Sequence, residues 1–116
     1  MEIKLKIWLE KDGHIVFGKG RDRLFRAIEE CQSLSAAVKK VGMTYRGAWG
    51  RLKASEERLN IRLVEPYGKG MRLTAEGKAL LEEYDRLVKD LESRVEKSAS
   101  RFKELLKPPS AKDADR

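Results

Sequence analysis

From Cys31 to Ser55 the chain carries five cations, Lys39, Lys40, Arg46, Arg51 and Lys53, and no aspartate or glutamate. The stretch from Ser35 to Leu59, which contains most of that run, reads as two helices interrupted at Val41-Gly42-Met43. Glycine stops the first helix, and Thr44 is a good N-cap for the apolar-periodic run that follows. At 100° per residue Ala48, Leu52, Ser55 and Leu59 share the face that packs inward, whereas Arg46, Gly50 and Lys53 point away from it. A short stiff turn and a second helix with one apolar and one cationic face are what a helix-turn-helix needs to dock on DNA.

On that reading Thr44, Tyr45 and Arg46, at the amino end of the second helix, meet base edges, and the Arg46 fork matches guanine bidentately. Lys39, Arg51 and Lys53 suit phosphates, which position a protein without reading sequence. Trp49 fits either the edge of the core or a nucleic-acid contact. Gly47 and Gly50 together cost the helix roughly 2 kcal/mol relative to alanine. Either close approach of a DNA backbone or a tight helix contact accounts for them.

The flanking segments complete the unit. Ile3, Leu5, Ile7 and Leu9 alternate with polar residues and Trp8, and Asp12-Gly13 is a type I′ turn signal, so the chain opens with a hairpin. Closing there sets Leu9 opposite Val16, and Trp8 opposite Phe17 on the outer face. A first helix is expected from about Arg21 to Cys31, with Leu24, Ala27, Ile28 and Cys31 inward and Arg21, Arg23 and Arg26 in solvent; Ser35 is the expected cap of the next. After Asn60 the period returns to two. Ile61, Leu63 and Glu65 begin a strand, Tyr67-Gly68-Lys69-Gly70 is a loop, and Met71-Arg72-Leu73 returns. A hairpin in that position is a wing, with Lys69 at its tip and Arg72 on its flank in reach of a minor groove or phosphates.

Thr74 then caps a helix expected to run to about Lys107, where Pro108-Pro109 ends it. Its Leu80, Tyr84, Leu87, Val88, Leu91, Val95 and Phe102 make an apolar stripe longer than one small domain covers, and a symmetric dimer would bury it. The expected fold is α+β and mainly helical. A winged helix-turn-helix domain with its N-terminal hairpin fills residues 1–73, a long dimerisation helix 74–107, and a disordered tail 108–116.

Composition narrows the function. A net charge of +7 and a pI of about 9.6 favour a polyanionic partner, here double-stranded DNA. One histidine and one cysteine build neither a metal site nor a disulfide within the chain. No nucleophile constellation or acid–base pair is visible, so neither an enzyme nor a cofactor is expected. Lone Cys31 fits a reducing cytoplasm, and no run approaches the roughly 20 apolar residues of a membrane span. Two other readings stay open: a nonspecific or architectural nucleic-acid binder, and a protein-interaction adaptor that uses the long helix.

The stretch SLSAAVKKVGMTYRGAWGRLKASEERLNIRLVEPYGKGMRLTAEGKALLEEY resembles the winged helix-turn-helix of ModE-type molybdate-responsive regulators, a relative of the LysR-type DNA-binding domain. TYRGAW and RLTAEG are the most distinctive segments, and the leading KIWLEKDGHIVFGKGR hairpin resembles the ModE type in particular. The resemblance implies a dimeric transcriptional regulator with Thr44, Tyr45, Arg46 and Trp49 on the DNA-facing part of the recognition helix. Pro66 stands where such domains often carry arginine, which removes a cation from the wing base. ModE-type regulators usually continue into a molybdate-binding region, for which 116 residues leave no room. Molybdate or tungstate sensing is therefore not carried over, and a small-molecule effector within this chain is not expected.

Overall fold

Side-chain caps start three of the four described helices in the computed structural model, which describes residues 1–109; the rest of the expected tail lies outside the described residues. The order is β1 (Leu9–Lys11), β2 (His14–Phe17), α1 (Lys19–Cys31), α2 (Leu34–Val41), α3 (Tyr45–Leu59), β3 (Val64–Tyr67), β4 (Gly70–Leu73) and α4 (Ala75–Leu105). Two strands pair in each of two separate antiparallel hairpins. Thr44 Oγ1 accepts the Gly47 N–H at 3.0 Å to start α3, and Thr74 Oγ1 accepts the Gly77 N–H at 3.0 Å to start α4. The cap of α2 is Ser33, not Ser35, its hydroxyl accepting from the Ala36 amide at 3.2 Å. Starting the helix two residues early brings Leu34 into the core, where it is 4% exposed. Gly42 closes α2 in the left-handed region (φ +74°), as the helix stop requires.

The core collects Phe17, Leu24, Phe25, Ile28, Leu52 and Leu63, all fully buried, with Ala48 and Ser55 of α3 against them. Phe17 stands edge-on to both Phe25 and Tyr84, ring centroids 5.1 Å apart in each pair. This overturns the expected hairpin register. β1 has three residues, and its partners are Leu9 with Phe17, Glu10 with Ile15 and Lys11 with His14, the register shifting between Leu9 and Glu10. The shift is a bulge that leaves Val16 without a partner, so Val16 and Phe17 are both buried although they are consecutive. Trp8 stays outside, 51% exposed, donating its indole N–H to Glu10 at 2.6 Å.

Beyond α3 the second hairpin pairs regularly, Val64 with Leu73 through Tyr67 with Gly70. It docks on the turn between α1 and α2, where the Met71 amide donates to the Gln32 carbonyl at 3.0 Å. α4 joins the core through its first three turns, which bury Gly77, Leu81 and Tyr84. Tyr84 is thereby removed from the expected dimerisation stripe: its ring lies on Phe17 and its hydroxyl donates to the Ile7 carbonyl at 2.7 Å. Leu80 and Val88 also lean on this core. Past Val88 the helix runs on beside the N-terminal segment, Val95 and Glu96 lining one groove with Ile3 and Leu5, and the molecule measures 72 × 30 × 22 Å.

Candidate nucleic-acid interface

The face of α3 turned away from the core is open. Arg46 is exposed and has no carboxylate partner among the described residues, and Tyr45 and Trp49 beside it are 51% and 40% exposed. A Cβ added at Gly50 would meet nothing within 4 Å, so no tight helix contact demands that glycine. Gly47 has a local reason instead, because a Cβ there would come 2.8 Å from the capping oxygen of Thr44. Thr44 is exposed and accepts the cap hydrogen bond, which leaves its hydroxyl proton free to donate. Lys39, in the last turn of α2, and Arg51 are exposed and lack ion-pair partners among the described residues.

Lys53 is held differently. Its ammonium lies 3.0 Å from Glu56 and 4.6 Å above the Trp49 ring, so its charge is engaged within the protein. Glu56 in turn accepts the amides of Leu63 at 2.8 Å and Val64 at 3.3 Å, fixing the entry to the wing. Burial works to raise the Glu56 carboxyl, but the Leu63 amide, Lys53 and the Val64 amide outweigh it, and the group lies below its ordinary value. At the wing, Lys69 is exposed on the turn, whereas Arg72 stacks 4.5 Å over Tyr67 and lies 3.8 Å from Glu65.

Residues 22–78 match the sequence model of the bacterial regulatory helix-turn-helix proteins of the lysR family. No curated protein matches the chain. Among solved structures, the chain is similar to the DNA-binding domain of CbnR in complex with DNA, with 25% identity over 72% of this chain and 95% of that one and a TM-score of 0.60. The chain has the winged helix-turn-helix fold of the LysR-type DNA-binding domains. Full-length CbnR bound to its target DNA is 26% identical at a TM-score of 0.58, matching 70% of this chain and 28% of that one. The chain thus spans little more than a quarter of that regulator. The DNA-binding domain of BenM on benA site 1 DNA shares the fold at 23% identity and a TM-score of 0.58, over 70% of this chain and 94% of that one.

The structure brings Thr44, Tyr45, Arg46 and Trp49 together on one end of α3, with Lys39 of α2 and Lys69 of the wing presented separately. Lys53 and Arg72 carry ion-pair partners, and Glu56 holds one of them while pinning the wing. Glu56 was missing from the sequence reading because its partners are backbone amides, which have no sequence signature. Arg21, expected in solvent, is half-buried and donates to the buried Ser55 hydroxyl at 2.6 Å. No group of three metal-ligating side chains occurs among the described residues, and no described helix is long and apolar enough to cross a membrane.

Proposed function

We propose that the chain is a sequence-specific transcriptional regulator that binds as a homodimer to a pseudo-palindromic DNA site in the cytoplasm. The observation that carries it is Arg46, exposed and without a carboxylate partner on the outer face of α3, one turn from the open ground at Gly50. That face admits a DNA groove, and its amino-terminal side chains supply the reading. The hairpin in front of α1 supports the narrower ModE-type likeness. For the dimer, Leu91, Val95, Phe102 and Leu105 extend the stripe of Leu81, Tyr84 and Val88, with Ser98 at the one polar position between Val95 and Phe102. Phe102 and Leu105 are 46% and 76% exposed in the single chain. A second copy of the same stripe covers them economically.

Selection of bound duplexes from a random library tests the reading: a two-fold motif is expected, and recovery without sequence preference would indicate a nonspecific binder. Arg46→Ala should weaken the selected site by roughly 1–3 kcal/mol and relax preference at one base pair. An equal loss on every sequence would make Arg46 a phosphate contact. Leu91→Glu should convert the dimer to a monomer in sedimentation velocity while leaving the domain's melting curve in place, since Leu91 lies beyond the core.

A further inference from the structure

Arg21 and Arg58 converge beside one buried hydroxyl, and Arg51 lines the same groove as Arg21. Arg51 and Arg58 are seven residues apart on α3, which aligns them within about 20° at a separation of about 10 Å, two turns along the helix. Ser55 lies between them, fully buried, donating to the Val16 carbonyl at 2.7 Å and accepting from Arg21 Nε at 2.6 Å. Arg21 arrives from the first turn of α1, and Arg58 is tied by one Nη to the Ile15 carbonyl at 2.5 Å. Each anchor uses a single N–H of its guanidinium, so both forks keep donors for a ligand.

No carboxylate neutralises this group. Lys4, Arg26, Lys40, Lys53, Arg72 and Arg86 each have an acidic partner, and among the described residues Arg21, Arg51 and Arg58 have none. Burial, then the charges of Arg58 and Arg51, push the Arg21 guanidinium below its ordinary value. The first turn of α1 adds unused donors, because its N-cap Gly18 supplies no capping side chain. That turn sits beside the break of the helix-turn-helix: a Cβ on Gly20 would lie 4.0 Å from Met43, and Arg23 donates to the Val41 carbonyl at 3.4 Å.

The placement on α3 indicates the ligand. Glu56, which holds the wing, follows Arg51 by five residues, about 140° round the helix. Wing and arginines therefore flank the outer face of α3 from opposite sides, as the two phosphate strands flank a major groove. Resting on the DNA-binding reading above, we propose that Arg21, Arg51 and Arg58 form a phosphate clamp that grips the DNA backbone on the side of α3 opposite the wing. The chemistry required of the ligand is a phosphodiester presented along a strand, and free inorganic phosphate is the competing source.

The test is binding of the full chain to its selected duplex and to an unrelated duplex across roughly 50 to 200 mM salt. The Arg21→Gln/Arg58→Gln double variant should weaken both duplexes alike and lower the slope of log affinity against log salt by about one per arginine. Ser55→Ala keeps every charge, so if the arginines were only structural, both variants would shift the melting temperature and neither the slope. An unchanged slope in the folded double variant overturns the clamp, and with Arg46→Ala still relaxing specificity it leaves the DNA-binding reading intact. Absence of DNA affinity in the unaltered chain overturns both. Saturation of the arginines by inorganic phosphate at concentrations that leave the DNA slope unchanged assigns them to the free anion and overturns the clamp.

Discussion

The two hairpins look alike in sequence and serve opposite ends of the structure. Each is a pair of short strands around a tight turn, yet β1–β2 sends two consecutive residues, Val16 and Phe17, into the core, while β3–β4 pairs in strict register and keeps most of its length outside. The first is a plug, anchored by the Phe17 ring between Phe25 and Tyr84. The second is a limb, held at its base by Glu56 and against the α1–α2 turn by Met71. A hairpin bound through side-chain packing and one bound through backbone contacts fail in different ways.

The largest effect should come from the plug. Phe17→Ala removes a fully buried ring and should destabilise the whole domain by about 3–5 kcal/mol in urea unfolding. A loss confined to the first hairpin, with the remainder melting as before, would show that it does not anchor the core. Next is the limb. A Cβ on Gly70 would lie 2.0 Å from the Gln32 carbonyl oxygen, so Gly70→Ala must lift the wing away from that turn at a cost of about 1–3 kcal/mol. The expected signature is local: hydrogen-exchange protection is lost at Met71 and kept at Leu52.

The smallest effect concerns pH and has opposite signs at the two hairpins. Asp22 shares a groove with Ile7 and Trp8 of the first hairpin segment. Its Oδ1 accepts from Arg26 at 3.0 Å, while its buried Oδ2 has no partner. Burial, and then the facing carboxyl of Asp85, raise its pKa from 3.8 to about 6. The folded state therefore holds that proton more tightly than the unfolded chain, and stability present below about pH 4 is lost as pH rises through about 6. Glu56 behaves in reverse: lowered in the folded state, it gives stability above its ordinary 4.5 that is lost as pH falls through its lower folded value. Asp22→Asn should remove the decline between pH 4 and pH 6 from the thermal midpoint while leaving the acid loss of wing protection at Leu63. A midpoint that still falls over the same range would show that Asp22 is not its source.

Much of the fold was legible because it follows from local rules. Thr44 and Thr74 cap where threonine ahead of a periodic run should, Gly42 stops α2, and the face of Ala48, Leu52 and Ser55 follows from helical geometry alone. The plug was not legible in the same way. Period-two reasoning assumes an unbroken ladder, and the bulge at Val16 turns the next residue, Phe17, inward instead of outward. Tyr84 was read as dimer stripe for a related reason, since a helical stripe looks the same whether its partner is its own core or a second chain.

By itself, then, the sequence determined the helices, the caps of α3 and α4, the turn between α2 and α3 and the charge of the outer face, because each depends on residues within a turn or two of one another. Tertiary structure decided which cations stay free. Lys53 and Arg72 meet Glu56 and Glu65 within α3 and within the wing, whereas Arg21 and Arg58 find their partners, Ser55 and the Ile15 carbonyl, across the fold. Those partners are set by how α1, α3 and the two hairpins pack, and charge acts through distance in space rather than along the chain.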